Sequence, residues 1–155
     1  MEAYEIGPAA EGDWPTIADL LTRSKLPLDG LPPHRGTTLV ARERGRIIGC
    51  AALELHRDGA LLRSVAVDPT FRGTGVGTGL TAAALELARR GRARRVYLLT
   101  ETAGEFFPRF GFVPVARVDV PESVKQSVEF TTACPESATV MVLELRAAGA
   151  GDEAP

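Results

Sequence analysis

Short β-like runs alternate with two helix-length stretches along the chain. Residues 3–7 read as an edge strand. Trp14, Ile17, Leu20 and Leu21 then fall on one helical face, with Asp13 placed to cap the helix and Pro15 to help start it. The helix is expected to end near Lys25, because residues 26–33, LPLDGLPP, hold three prolines and a glycine. Residues 37–43 and 47–55 flank Arg44, Gly45 and Arg46 and predict a hairpin; a third strand, 60–67, follows the turn at Arg57, Asp58 and Gly59 and stops at Asp68 and Pro69. Leu80, Ala84, Leu87 and Ala88 take helical spacing over 78–90, with Gly91 as C-terminal cap. Residues 96–99 read as a buried strand, 104–110 as a helix closed by Gly111, and 113–118 and 139–145 as strands. An insertion, 119–137, separates the last two, and Pro121, Glu122 and Ser123 mark a helix start within it. Residues 147–155, AAGAGDEAP, read as a disordered tail, leaving 1–146 as one domain.

Composition narrows the partner. The 155 residues are 45% hydrophobic and 25% charged, as in one globular domain. A formal net charge of −2, with the two signs interspersed, gives no electrostatic footprint for nucleic acid or an anionic membrane, so the expected partner is a small molecule. Two cysteines, Cys50 and Cys134, and an N-terminus without a basic flank or apolar core point to the cytoplasm. His34 and His56 are isolated in sequence, which gives a metal site little support.

The stretch FRGTGVGTGL, residues 71–80, places glycine at 73, 75, 77 and 79 between a strand and a helix. A plain turn needs one or two glycines; four in alternation point to a ligand that approaches bare backbone. Dinucleotide binding wants glycines at first, third and sixth positions, but the sixth is Thr78 counted from Gly73 and Leu80 counted from Gly75. A phosphate-binding loop wants a lysine after its last glycine, and none occurs between Lys25 and Lys125. What remains is Arg72, two spacers, Gly75, one spacer, Gly77.

Arg72, Gly75 and Gly77, after the strand end at Val65, Ala66, Val67, Asp68 and Pro69, resemble the acetyl-coenzyme A signature of the GCN5-related N-acetyltransferases (GNAT). Residues 106–112, FFPRFGF, resemble that family's second signature, Phe-Tyr-x-x-x-Gly-Phe. The resemblance spans residues 3 to about 145. It implies an α/β fold of the α+β kind: a mixed, mostly antiparallel sheet of six to seven strands, splayed between strands four and five and flanked by about four helices. It also implies that acetyl-coenzyme A (acetyl-CoA) is the co-substrate, with no metal. Its diphosphate would meet Arg72, Gly73, Thr74, Gly75, Val76, Gly77 and Thr78, where unpaired amides and the helix dipole favour an anion. The pantetheine arm would lie along Val65, Ala66 and Val67, with Thr100, Phe106, Phe107 and Arg109 completing the donor site, and a strand N–H at Val65 would stabilise the oxyanion.

The reaction implied is acetyl transfer to a neutral primary amine. The glutamate many members keep early in the fourth strand is Leu61 here, and the tyrosine of the second signature is Phe107. Glu54 is the candidate base, its strand neighbours Leu53 and Leu55 pointing to the opposite face; a solvent-facing glutamate is the alternative. Protonation of the leaving thiolate falls to solvent, with Cys134 and Ser123 as the other protonatable groups in reach, and Cys134 either inert or an acetyl carrier. Residues 98–103 and 121–125 resemble the acetyltransferase domain of N-acetylglutamate synthases; residues 60–64 and Phe130, Cys134 and Pro135 resemble small acetyltransferases associated with arsenic resistance. Both imply a small amino-acid-like acceptor, with Arg63, Ser64 and Cys134 as candidate acceptor residues, Arg63 either clamping an acidic group or merely facing a strand edge. Residues 26–35 and 119–137 would wall the pocket. The sequence also admits a coenzyme A sensor without turnover, a protein acetyltransferase, and a homodimer.

Overall fold

The computed structural model describes residues 4–101, 105–133 and 137–145. Its seven strands form one sheet: β1 (Tyr4–Pro8), β2 (Thr38–Glu43), β3 (Arg46–His56), β4 (Gly59–Val67), β5 (Arg95–Thr100), β6 (Val113–Pro114) and β7 (Thr139–Glu144), in the order β1-β2-β3-β4-β5-β7-β6. Neighbours pair antiparallel except β4 and β5, which run parallel. The parallel pairing consists of Ala60 with Val96 and Leu61 with Tyr97; beyond that point the two strands separate. The mixed, splayed sheet matches the expected one.

Alternation along β3 gives each face its own helix. Cys50 and Ala52 pack with Ile17, Leu20 and Leu21 of α1 (Trp14–Arg23). Ala51 and Leu53 face the other way, toward Val76, Leu80, Ala84, Leu85 and Ala88 of α2 (Val76–Arg90). In the β3–β4 register Cys50 opposes Ala66 but Ala52 opposes Arg63, so β4 holds a bulge at Ser64 and Val65, where Ser64 has φ +60°. A bulge leaves one residue out of the ladder and re-aims its neighbours. Here it turns the second half of β4 toward the gap.

Three expectations are corrected. Asp13 makes no side-chain cap on α1: its carboxylate accepts from the Ala10 N–H at 2.6 Å and pairs with Arg42 of β2. The helix expected over 104–110 is a single 3-10 turn, Phe107–Phe110, closed by Gly111 at φ +105°; residues 102–104 lie outside the described residues. The strand expected over 113–118 is only Val113–Pro114, followed by one more bond to β7 from the Val115 N–H to the Val140 carbonyl at 2.9 Å, and the chain turns at Arg117–Asp119. The insertion does begin a helix at Pro121, the one-turn α3 (Glu122–Lys125). The proposed tail, 147–155, also lies outside the described residues.

Thr81, on the sheet-facing side of α2, is fully buried, and its hydroxyl has no hydrogen-bond partner among the described residues. An unpaired buried hydroxyl costs about 1 kcal/mol or more, which an isosteric methyl group avoids. Thr81→Val is therefore expected to raise the thermal midpoint by about 2–4 °C in calorimetry; a lower midpoint would contradict the reading.

Candidate active site

Where β4 and β5 part, a cavity of about 1030 Å³ opens, lined by residues 62–67 on one side and 98–101 on the other. Strands that stop pairing leave N–H and C=O groups that need another partner. The cavity continues to the N-terminus of α2. Arg72, Gly73, Gly75, Gly77 and Thr78 line it there, and Phe106, Phe107 and Arg109 close the opposite wall.

Local geometry explains the glycines at the helix entrance. Gly73 and Gly75 have φ +80° and +93°, and Gly75 is the N-cap of α2. A β-carbon at Gly75 would strain the left-handed turn that starts the helix. The first intrahelical bond beyond the cap runs from Gly79 N–H to Gly75 C=O, so the amides of Val76, Gly77 and Thr78 precede any intrahelical acceptor. Their shared positive end of the dipole faces the cavity. The Tyr4 hydroxyl donates to the Gly75 carbonyl at 3.3 Å and ties the turn to β1; Arg72 Nε donates to the Val67 carbonyl at 3.3 Å and holds the guanidinium at the end of β4. Phe106 stacks edge-to-face on Phe107 and Phe110, with the Arg109 guanidinium 5.7 Å from its ring centre.

At the other end, Ser24, Lys25, Leu26, Pro27, Glu129 and Ala138 wall the cavity beside Arg63 and Ser64. A β-carbon on Gly30 would lie 2.8 Å from Val128, so the loop after α1 meets the insertion over the sheet. Arg63 is wholly buried beneath them, not edge-facing. Its Nη1 donates to Glu54 Oε2 at 2.9 Å, its Nη2 to the Pro27 carbonyl at 3.1 Å, and its Nε to Ser64 Oγ at 3.2 Å, with Glu129 Oε2 at 3.4 Å. Two groups here escaped the sequence reading: Glu129, which sits in a π-turn (Glu129–Ala133) that carries no periodic signal, and the Pro27 carbonyl.

Glu54 is 1% exposed and lies behind Arg63, not on the cavity wall. Its Oε1 is 2.7 Å from His56 Nε2 and 3.8 Å from His34 Nε2. Burial pushes the carboxyl up, but hydrogen bonds from His56, Arg63 and Ser127 and the nearby His34 outweigh it and hold the pKa at about 2. Burial in turn lowers the His34 pKa. Cys50 packs under α1, its thiol donating to the Ser64 carbonyl at 3.3 Å, and burial pushes its pKa up to about 12; Cys134 lies outside the described residues. Among the described residues no group of three His, Cys, Asp or Glu side chains is arranged to hold a metal ion, and no helix is long and apolar enough to cross a membrane.

A carboxyl depressed from 4.5 to about 2 contributes stability that is present above its unfolded pKa and lost as pH falls through the folded one. Glu54 should therefore contribute roughly 3 kcal/mol at pH 7, lost between about pH 4.5 and 2. Urea midpoints of Glu54→Gln should be low at pH 7 and vary less with pH over that window than those of the unsubstituted protein; parallel curves would contradict the ion-pair reading.

Residues 34–114 match the acetyltransferase (GNAT) domain family. An amino-acid acetyltransferase of Mycobacterium tuberculosis is 40% identical over 82 residues, 52% of this chain and 46% of that protein, so the chain spans less than half the length of this relative. The crystal structure of Rv2747 from Mycobacterium tuberculosis in complex with CoA superposes with a TM-score of 0.80 at 28% identity, covering 92% of this chain and 99% of that one. N-acetylglutamate synthase from Neisseria gonorrhoeae, complexed with coenzyme A and N-acetyl-glutamate, gives 0.81 at 25% identity over 94% of this chain and 36% of that one. With the splayed sheet and the glycine turn, the family match shows that the chain belongs to the GNAT acetyltransferases.

Proposed function

We propose that the protein transfers the acetyl group of acetyl-CoA to the primary amine of a small, amino-acid-like acceptor. The observation that carries this reading is one continuous cavity with two dissimilar ends, a row of helix N-terminal amides beside Arg72 at one and a buried, charged recess at Arg63 at the other. The relatives solved with coenzyme A and named as amino-acid acetyltransferases support donor and acceptor class alike. The likeness of residues 60–64 and Phe130 to arsenic-resistance-associated acetyltransferases supports an acceptor of the same size, and a cytoplasmic location fits the donor.

Acetyl-CoA would supply an acyl thioester; the chain's residues do the rest. The amides of Val76, Gly77 and Thr78 and the Arg72 guanidinium bind diphosphate without an array of lysines. Backbone groups of Val65 to Val67, freed by the bulge and the parting of β5, pair with the pantetheine arm and place an N–H against the carbonyl oxygen. Phe106 and Phe107 exclude water from that stretch. The ammonium loses one proton to solvent beforehand; the amine then forms its bond to the acyl carbon as the carbon–sulfur bond breaks, and the second proton shed by the acylated nitrogen is balanced by the one the thiolate takes up from solvent. A carboxylate with pKa about 2 is a poor proton acceptor at neutral pH, so Glu54 acts through Arg63, fixing its position.

Leu61 and Phe107 favour a second reading. Both are apolar where related enzymes carry proton-transfer groups, as in a coenzyme A sensor that does not turn over. Thiol release followed with DTNB over a panel of amino acids separates the two: the transferase releases thiol with at least one, whereas binding without release marks the sensor.

Arg72→Ala should weaken acetyl-CoA about 10- to 100-fold by calorimetry, the value of one charge-assisted hydrogen bond set. Gly75→Val should weaken it at least about tenfold through the strained turn. Unchanged affinity in both would remove the helix entrance from the donor site.

A further inference from the structure

A second, smaller cavity of about 320 Å³ opens at the opposite end of β4 and β5 from the donor gap, between the β3–β4 turn and the connection from α2 to β5. Arg57 of the turn and Arg92, Arg94 and Arg95 of the connection line it, and Asp58 is the carboxylate among its described lining residues. Arg95 is paired with Glu144 of β7 at 2.6 Å, and Asp58 accepts from Ser123 Oγ at 2.9 Å. His56, also on the wall, is held on Glu54 through Nε2. Arg57, Arg92 and Arg94 are exposed and make no ion pair or side-chain hydrogen bond among the described residues. Three like charges therefore meet at one concave surface without an answering group of their own.

Cations that follow a helix commonly answer its last carbonyls. Here the backbone already does so: the Leu87, Ala88 and Arg89 carbonyls accept from the N–H groups of Gly91, Ala93 and Arg92. Arg92 takes this turn at φ +66°, a conformation that favours glycine. The turn would form more easily without a side chain, yet it carries a guanidinium to the cavity.

We propose that this cavity binds a small anion carrying two or more adjacent phosphates, held by Arg57, Arg92 and Arg94, at a site separate from the donor cavity. Guanidinium groups meet phosphate oxygens through paired N–H donors. Three such charges less that of Asp58 leave two for a ligand to neutralise. A chain of phosphates spreads its charge across both walls, whereas a single phosphate reaches fewer of the arginines. The phosphate chain of a nucleotide and a free oligophosphate offer the same chemistry. The site goes beyond acetyl transfer and does not depend on it.

Calorimetry with inorganic triphosphate under saturating coenzyme A tests the site with the diphosphate cradle at α2 already filled. Coenzyme A affinity, measured first, reports on the donor reading separately. Triphosphate is expected to bind at least tenfold tighter than orthophosphate. The double variant Arg57→Gln with Arg94→Gln should weaken it at least tenfold. Arg92→Gly should weaken it at least threefold without lowering the thermal midpoint, because glycine relaxes the turn; this variant separates loss of the site from loss of the fold. ATP binding tighter than triphosphate identifies a nucleotide as the ligand and weaker binding a free oligophosphate, and either upholds the site. No triphosphate binding, orthophosphate binding as tightly, displacement of triphosphate by coenzyme A, or an affinity unmoved in both variants overturns the proposal.

Discussion

The parting of β4 from β5 is the constraint on which the rest of the molecule turns. Two residue pairs join them, and then each strand runs on without the other. A sheet interior does not ordinarily tolerate that, because every unpaired buried N–H or C=O carries a desolvation cost comparable to a lost hydrogen bond. The surroundings hold the gap open. Phe107 packs with Phe112 into the core on one side, and α2 is drawn onto the sheet through Val76 and Leu80 on the other. The bulge at Ser64 bends β4 between them. A ligand with amides along its length and a diphosphate at its end matches what these elements leave unsatisfied.

The end of the cavity at Arg63 obeys a different physics. Arg63 has no solvent exposure in its side chain and is held by Glu54, Ser64, the Pro27 carbonyl and Glu129. A buried guanidinium is tolerated only when paired and hydrogen-bonded, so the loop after α1, the hairpin strand β3 and the insertion are all drawn to one point. That convergence makes the recess. It also makes Arg63 a shared cation instead of a free clamp.

Most strands were legible because alternation and turn residues report burial directly, and β3, β4 and β5 lie within one or two residues of their sequence-predicted bounds, whereas the mixed, splayed sheet followed from the family resemblance. The glycine turn at the entrance to α2 was legible for a similar reason, since positive φ at Gly73 and Gly75 is a local demand that leaves a local mark. Asp13 was misread because its carboxylate answers Arg42, 29 residues away, in place of the nearest helix amides. Glu54 stood open to either a cleft-facing or a solvent-facing reading, because periodicity says nothing of the His56 and Arg63 that hold it and depress its pKa. Glu129 left no mark at all: it reaches the site through an insertion of irregular turns, and its meeting with Arg63 exists only in three dimensions.

Amide hydrogen exchange with and without acetyl-CoA reports on the splayed gap residue by residue. Added acetyl-CoA should slow exchange at Val65, Ala66 and Val67 and at Val76, Gly77 and Thr78, while the β1–β2 edge stays unchanged. Unaltered exchange at both segments under saturating acetyl-CoA, or protection confined to another surface, would contradict the assignment of the gap as the donor site.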